Sequence, residues 1–365
     1  MQVWSWCLKH RKILIIDGVC LLLAFLLMLL ASHLGRQAYS QQEAQRWAAD
    51  KKPYHQVSAF WPASEKVGKE RISTVRSTIQ RKLTEASLYD ESHSGKVWTD
   101  AFAAQTTDSV TRISDIGLKG KENVQILGVG GSYFLFHPLK MVSGSLFSEE
   151  DVMNDRVVID RNTAWTLFGG YDIAGQSIKI ADKTFLVAGV YEPEDSKSAQ
   201  KAFDGKSVLM MDYGAFHKLY EEAPIISYEA VLPNPIRSFA LNTLQDAAGG
   251  EEVQVLLVDN TSRFSAKDLL VRFADMSRLF MRQDAVVLPY WENEMRALEW
   301  QLYCLLLLRL LLMIAPIVSA AFAVIYLIRR YGRNLWKRFW TDLFERIRKK
   351  FYERPIRIES EFEDE

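Results

Sequence analysis

The chain has 365 residues, with 45 Lys+Arg against 45 Asp+Glu and a formal net charge of zero. That balance excludes a nucleic-acid-coating protein, which needs a basic excess to neutralise phosphates. With 48% hydrophobic and 25% charged residues, bulk disorder is excluded as well. The mean hydropathy of -0.08 is too low for a polytopic membrane protein, but it averages over a strong segregation.

Residues 1–12 carry Lys9, Arg11 and Lys12. They precede Ile13–Ala31, which is 19 residues long with Asp17 its one charge. At a helical rise of ~1.5 Å per residue this covers the ~30 Å hydrocarbon core. A long apolar run with no A-x-A cleavage site before Gln37 predicts an uncleaved anchor rather than a signal peptide. Leu34–Asp50 is free of Pro, with no Gly after Gly35, and reads as a helix continuing outward.

Tyr54–Trp61 alternates and predicts a strand ended by Pro62. Ser64–Leu83 predicts a helix, because Ile72, Val75, Ile79 and Leu83 recur at three and four. Val97–Ile116 reads as one or two strands, and Asn123–Gly128 as a strand leading into Gly128–Ser132, GVGGS, read as a tight turn. Ser148 is placed as the N-cap of a helix opening with Glu149, Glu150 and Asp151. Arg156–Asp160 reads as a short buried strand. Asn162 or Thr163 is taken to cap a short helix that Gly169–Gly170 stops. Ser177–Ile180 and Phe185–Val190 read as strands of a hairpin turning at Ala181–Thr184, followed by a polar loop over Asp195–Gly205. Helices are expected near Asp212–Glu221, at Ser238–Ala248 and at Ala266–Met281, with strands at Ile226–Leu232 and Val253–Val258. The mix is α+β, with two subdomains expected from its length.

From Trp291 no breaker intervenes, and Trp291, Met295, Leu298 and Leu302 recur at four, three and four. A helix is therefore expected to start outside and to run into a second apolar segment, Leu302–Ile328, whose one charge is Arg309. Arg329, Arg330, Arg333, Lys337 and Arg338 follow it. Basic residues flank the far end of each span, so residues 1–12 and 329–365 are expected to be cytoplasmic and residues 32–301 extracytoplasmic. The outer segment carries 30 Lys+Arg against 36 Asp+Glu, as that orientation requires. It has no cysteine: Cys7 falls in the cytoplasmic part, and Cys20 and Cys304 fall in or at the spans. The outer segment must therefore be held by its own core. Asp17 and Arg309 lie toward opposite ends of their spans, which opposes a mutual ion pair; either could meet a helix of a partner subunit.

In the tail, Trp336, Phe339, Trp340, Leu343, Phe344, Ile347 and Phe351 fall within an arc of ~140° at 100° per residue. Lys337, Arg338, Arg346, Arg348 and Lys349 lie outside it. A basic, aromatic-rich amphipathic helix next to a span is expected to bind anionic lipid, with Glu359–Glu365 left in solution.

Chemistry-bearing motifs are sparse. The sequence has no G-x-x-x-x-G-K-[ST], no H-E-x-x-H and no G-x-S-x-G. The carboxylate clusters Glu149–Asp151 and Glu192–Asp195 lack a calcium-loop ladder. No catalytic, cofactor-binding or metal-binding residue is assigned, and no enzymatic activity is expected.

The stretch Gly144–Tyr191, with its lead-in, resembles the periplasmic core domain of MacB-like (FtsX-like) ABC transporter permeases. The segments that carry the likeness are QILGVGGSYFLFHPLKMVSG, GSLFSEEDV, RVVID, TAWTLFGGYDIAGQSIKI and TFLVAGVYEPED. The resemblance implies a ferredoxin-like porter part with an inserted subdomain, which the two apolar segments of this sequence would carry as transmembrane helices. It also implies a non-catalytic subunit working with an ABC ATPase and with a second permease or a homodimer copy. Family permeases have four spans and a cytoplasmic Glu-Ile-Gly-type docking segment. This sequence shows one later span, and Arg329–Lys350 lacks that motif. The expected function is coupling of a partner's ATP hydrolysis to export or envelope mechanotransmission in a bacterial plasma membrane. The alternative is a membrane-anchored extracytoplasmic sensor or scaffold.

Overall fold

The computed structural model describes residues 11–36, 38–47, 53–89, 96–114, 117–148, 153–193, 207–249, 254–274, 286 and 288–352. The chain divides into two compact units, Leu30–Leu305 and a second made of Met1–Leu29 with Leu306–Glu365. Two helices are long and apolar enough to cross a membrane. They are α1 (Arg11–Arg36) and α9 (Tyr290–Tyr352), and each contributes to both units. In the second unit Ser319 Oγ donates to Asp17 Oδ1 at 3.2 Å, so Asp17 is met by a hydroxyl of α9 rather than by Arg309.

In unit Leu30–Leu305 a single ten-stranded sheet runs through two parts. The first is built from β1 (Tyr54–Phe60), α3 (Lys69–Glu85), β2 (Thr99–Ser114), β9 (Ile225–Pro233), α7 (Phe239–Ala248) and β10 (Leu256–Asp259). Its strand order β10-β1-β9-β2 is antiparallel throughout, the arrangement of a ferredoxin-like βαββαβ unit. The predicted stripe of α3 is the reason it docks: Ile72, Val75, Ile79 and Leu83 are all buried against the sheet beside α7. Helix α3 starts later than expected. Pro62 leads into a 3-10 turn at Ala63–Glu65, and Lys66 at φ 45 breaks the path before Lys69.

The second part is inserted between β2 and β9. It comprises β3 (Gly117–Gly131), α4 (Tyr133–Phe136), β4 (Lys140–Gly144), β5 (Arg156–Asp160), α5 (Arg161–Phe168), β6 (Ser177–Ile180), β7 (Lys183–Glu192), β8 (Ser207–Asp212) and α6 (Tyr213–Leu219). Pairing runs β2-β3-β8-β5-β7, and β6 joins β7 back to β2, so the strands close into a ring. Strand β2 serves both parts: Thr99–Ala104 pair with β9, and Val110–Arg112 pair with β6. The α+β class, the ferredoxin-like part and the inserted subdomain are therefore as the resemblance implied.

Several local expectations change. Gly128–Ser132 is not a turn. Gly128, Gly130 and Gly131 lie in β3, and a Cβ on Gly128 or Gly130 would come within 2.3 Å of the Phe216 or the Phe102 ring. These glycines are the space into which two aromatic rings pack. Helix α5 is capped by Asp160, not by Asn162 or Thr163. Asp160 Oδ1 accepts from the N–H groups of Asn162 (2.7 Å) and Thr163 (2.9 Å), and Oδ2 accepts from Val208 N (2.7 Å). The same carboxylate thus caps a helix and holds the neighbouring β8. Gly169 ends α5 at φ 69, as read. The hairpin turn is confined to Ala181–Asp182, with Ala181 at φ 51. Strands β4 and β8 were not anticipated. The helix expected after Ser148, the loop Asp195–Gly205 and the end of the helix expected to reach Met281 lie outside the described residues.

The helix expected over Leu34–Asp50 is interrupted. Helix α1 ends at Arg36, a 3-10 turn follows at Tyr39–Gln41, and α2 (Glu43–Trp47) resumes. The Gln42 amide reaches back to the carbonyls of Gly35 (3.4 Å) and Arg36 (3.0 Å), satisfying the helix end that the break exposes.

Candidate functional site

Helix α9 enters unit Leu30–Leu305 with two buried stripes. Trp291, Met295, Leu298 and Leu302 form the apolar one, as their spacing predicted. Glu292, Arg296 and Glu299, at i, i+4 and i+7, form a charged one that is also buried. Charges that far from water need partners. The partner is Arg263, which follows β10 and is itself fully buried.

The Arg263 guanidinium uses its whole fork. Nη1 donates to Glu292 Oε2 (2.9 Å), Nη2 to Glu292 Oε1 (3.0 Å) and Nε to Glu299 Oε1 (2.8 Å). Nη1 also lies 3.3 Å from Asn260 Oδ1 and from Gln41 Oε1. A bidentate arginine–carboxylate pair fixes orientation as well as distance. Arg296 Nε adds a bond of 3.0 Å to Glu292 Oε1. Burial works against every charge here, and the mutual pairing overrides it. Glu292 and Glu299 hold the Arg263 pKa above the ordinary arginine value, and Arg263 and Arg296 hold the Glu292 carboxyl below the ordinary glutamate value.

A chain of polar contacts leads away from Arg263 and returns to α9. Asn260 Nδ2 donates to Ser58 Oγ (2.6 Å), and Ser58 Oγ donates to Glu229 Oε1 (3.0 Å). The other oxygen of Glu229 pairs with His137 Nε2. The His137 ring packs against both Tyr133, at 4.5 Å, and Trp291, at 4.7 Å, which also touch each other edge to face at 5.8 Å. Trp291 adjoins Glu292, so the circuit closes through β10's end, β1, β9, the turn after α4, and α9.

The segment after α1 is fastened at the same place. Gln56 of β1 accepts from Glu43 N (3.1 Å) and donates to Ser40 O (2.6 Å). Arg46 pairs with Glu43 (2.6 Å) and donates to Leu135 O (2.9 Å). Burial raises the Glu43 pKa, and Arg46 opposes it. Arg263 thus touches both chain segments that connect this unit to the apolar helices: Gln41 on one side, Glu292 and Glu299 on the other.

Residues singled out in the sequence fall elsewhere. Glu192 lies on the inserted part, where Lys140 and then Arg161 (3.1 Å) hold its pKa down. In the tail, Trp336, Phe339, Trp340, Phe344 and Ile347 are exposed on α9. Among the described residues, no group of three or more His, Cys, Asp and Glu could hold a metal ion.

Residues 64–270 match the MacB-like periplasmic core domain. The chain belongs to this family. Macrolide export ATP-binding/permease protein MacB from Neisseria gonorrhoeae is 36% identical over 88 residues, and its namesake from Chromobacterium violaceum is 31% identical over 90. Each alignment spans 24% of this chain and 13% of the relative, so most of those proteins has no counterpart in the match. Among solved structures, the periplasmic region of MacB from Actinobacillus actinomycetemcomitans aligns at TM-score 0.39 and 16% identity, covering 60% of this chain and 92% of that one. The extracellular domain of the transporter YknZ aligns at TM-score 0.36 and 14% identity, covering 56% and 100%. The MacB-like core domain of this chain spans most of both parts of the sheet, and Arg263 falls inside it.

The charged circuit was missed by sequence reading. Its one visible trace was Glu292, Arg296 and Glu299 lying beside an apolar stripe that itself marks a buried helix.

Proposed function

We propose that this chain is a non-catalytic membrane subunit of an ABC transporter assembly, in which the MacB-like core domain couples movement of the membrane helices to export or to envelope mechanotransmission. The observation that carries the reading is the Arg263 clasp. It joins the segments leading from α1 and to α9 through buried, charge-assisted bonds, so displacement of either segment strains the same guanidinium. A domain built only to be displayed needs no such link between its two connections.

The orientation follows from the basic residues flanking the spans: residues 1–12 and 329–365 cytoplasmic, residues 32–301 outside, spans at 13–31 and 302–328, in a bacterial plasma membrane. The sequence holds no P-loop, so ATP hydrolysis falls to a partner ATPase. Two apolar helices do not enclose a pathway, and a full permease or a second copy supplies the rest. The exposed aromatic face from Trp336 to Ile347, with Arg346 and Arg348, lies against anionic lipid at the inner surface. A synthetic 333–354 peptide turns helical on phosphatidylglycerol vesicles and stays a coil on phosphatidylcholine; a coil on both refutes the lipid assignment.

Crosslinking the full chain in its native membranes, followed by purification, tests the function. Recovery of a P-loop ATPase together with a four-span permease or a second copy supports it. Recovery of an extracytoplasmic partner without any ATPase refutes it in favour of a sensor or scaffold.

A further inference from the structure

Helix α8 (Ala266–Ala274) is capped at its start by Ser265. Ser265 Oγ accepts from Asp268 N (3.1 Å) and donates to Asp268 Oδ2 (2.8 Å). One side of the helix is spent on the protein. Leu269 is buried, and Phe273 stacks on Tyr303, with interplanar angle 6°, and on Trp300, at a centroid distance of 5.6 Å. The adjoining side is apolar and open: Leu270 is 44% and Val271 62% exposed, and Trp300 is 48% exposed. An aromatic stack and two bare aliphatic side chains thus meet on one surface.

We propose that this surface is a lipid-contacting foot, seated in the outer headgroup and acyl boundary of the bilayer that α9 spans. The inference rests on reading α9 as a membrane span. Helix α9 is unbroken from Tyr290 to Tyr352, and Trp300 and Tyr303 bracket Leu302, where its apolar run begins. At ~1.5 Å per residue Trp300 stands about 3 Å ahead of Leu302 along the helix. This is the depth at which tryptophan and tyrosine concentrate at membrane–water interfaces, their rings in contact with lipid and their polar edges in contact with water. A water-facing surface would have no use for Leu270 and Val271 beside such a belt. Arg263 is two residues before Ser265, and its carboxylate partners Glu292 and Glu299 precede Trp300 on α9, so the clasp and the foot are built from adjoining stretches of chain.

The test uses the full chain with Cys7, Cys20 and Cys304 replaced by serine, spin-labelled singly at L270C, V271C, W165C or V324C, in vesicles of phosphatidylethanolamine and phosphatidylglycerol. Power saturation compares accessibility to oxygen, which enriches in lipid, with accessibility to a water-soluble nickel chelate. Trp165 is exposed on α5 and Val324 is exposed within the apolar run, so they give the aqueous and hydrocarbon limits. Positions 270 and 271 are expected to fall between them, with oxygen-to-nickel ratios several-fold above that of 165. Unchanged melting of each labelled protein establishes that the fold is intact. Ratios at 270 and 271 equal to that of 165 overturn the foot while leaving the span in place. Low accessibility to both reagents also overturns it, because protein then covers the surface. An aqueous reading at 324 fails the span and the foot together.

Discussion

Replacing Arg263 by methionine keeps most of the volume and removes the charge. The wild-type guanidinium makes three bonds of 3.0 Å or shorter to Glu292 and Glu299, with no part of it exposed. Without it Glu292 keeps Arg296, but one buried carboxylate oxygen loses its partner and Glu299 loses its Nε donor. Breaking a buried pair from one side costs about 3–5 kcal/mol, because the stranded charge stays out of water. For a domain of this size each kcal/mol moves the midpoint by roughly 2–4 °C, so R263M should melt about 6–20 °C below wild type. The double variant R263M/E292Q removes the stranded charge and should recover part of the loss. The assay is thermal unfolding of the full chain in detergent, followed through tryptophan emission. The pH dependence has a definite sign. Glu292 has a lowered pKa in the folded state, so its contribution is complete above about pH 4.5 and is lost as pH falls through its depressed value. The gap between wild type and R263M should therefore narrow below about pH 4.5. An R263M protein within about 1 kcal/mol of wild type would refute the clasp as a structural link.

Other outcomes follow from the same structure. S58A cuts the circuit between Asn260 and Glu229 and should cost about 1–3 kcal/mol. Combined with R263M it should be non-additive by more than about 0.5 kcal/mol in a double-mutant cycle, and simple additivity would mean that the two halves are separate. G128A forces a methyl group against the Phe216 ring and should lose about 1–3 kcal/mol in urea unfolding. G170A, where a Cβ meets nothing within 4 Å, should stay near wild type. D160A removes a helix cap worth about 0.5–2 kcal/mol and strands the Val208 N–H at a further ~1–3 kcal/mol. D160N should recover part of that loss. Residues 32–301 expressed without the spans should fold, and a chelator should leave their melting unchanged.

How much of this could be read from the sequence depended on the distance over which each feature is decided. Helices α3 and α9 were legible because a buried helix face repeats within a few residues: Ile72, Val75, Ile79 and Leu83 in one, Trp291, Met295, Leu298 and Leu302 in the other. Strand β8 was not, because SVLMMD is covered on both faces and so lacks the alternation that marks a half-exposed strand. The glycines of β3 looked like a turn because the rings that require them, Phe102 and Phe216, come from other elements. Asp160 was read only as the end of a strand, since its second task concerns Val208, 48 residues on. The clasp was least accessible. Gln41 and Arg263 are 222 residues apart, and Ser58 and Asn260 are 202 apart, so only the folded chain brings them together.

The strand order constrains how the molecule can be made. Strand β1 is among the first elements of unit Leu30–Leu305 to be synthesised, yet both of its neighbours, β9 and β10, come after the entire insertion. Until then β1 has no strand partner and the sheet that covers the apolar stripe of α3 is incomplete, while the inserted ring can begin to close around β3, β5, β7 and β8. Pairings so distant in sequence are slow to form, and their unpaired edges invite association in the meantime. Loss of β10 would therefore leave β1 without one of its two neighbours and expose its edge. Folding of the ferredoxin-like part is a closing event, completed only when β9, α7 and β10 are available, and a holding chaperone would find its substrate in β1 and α3 rather than in the insertion.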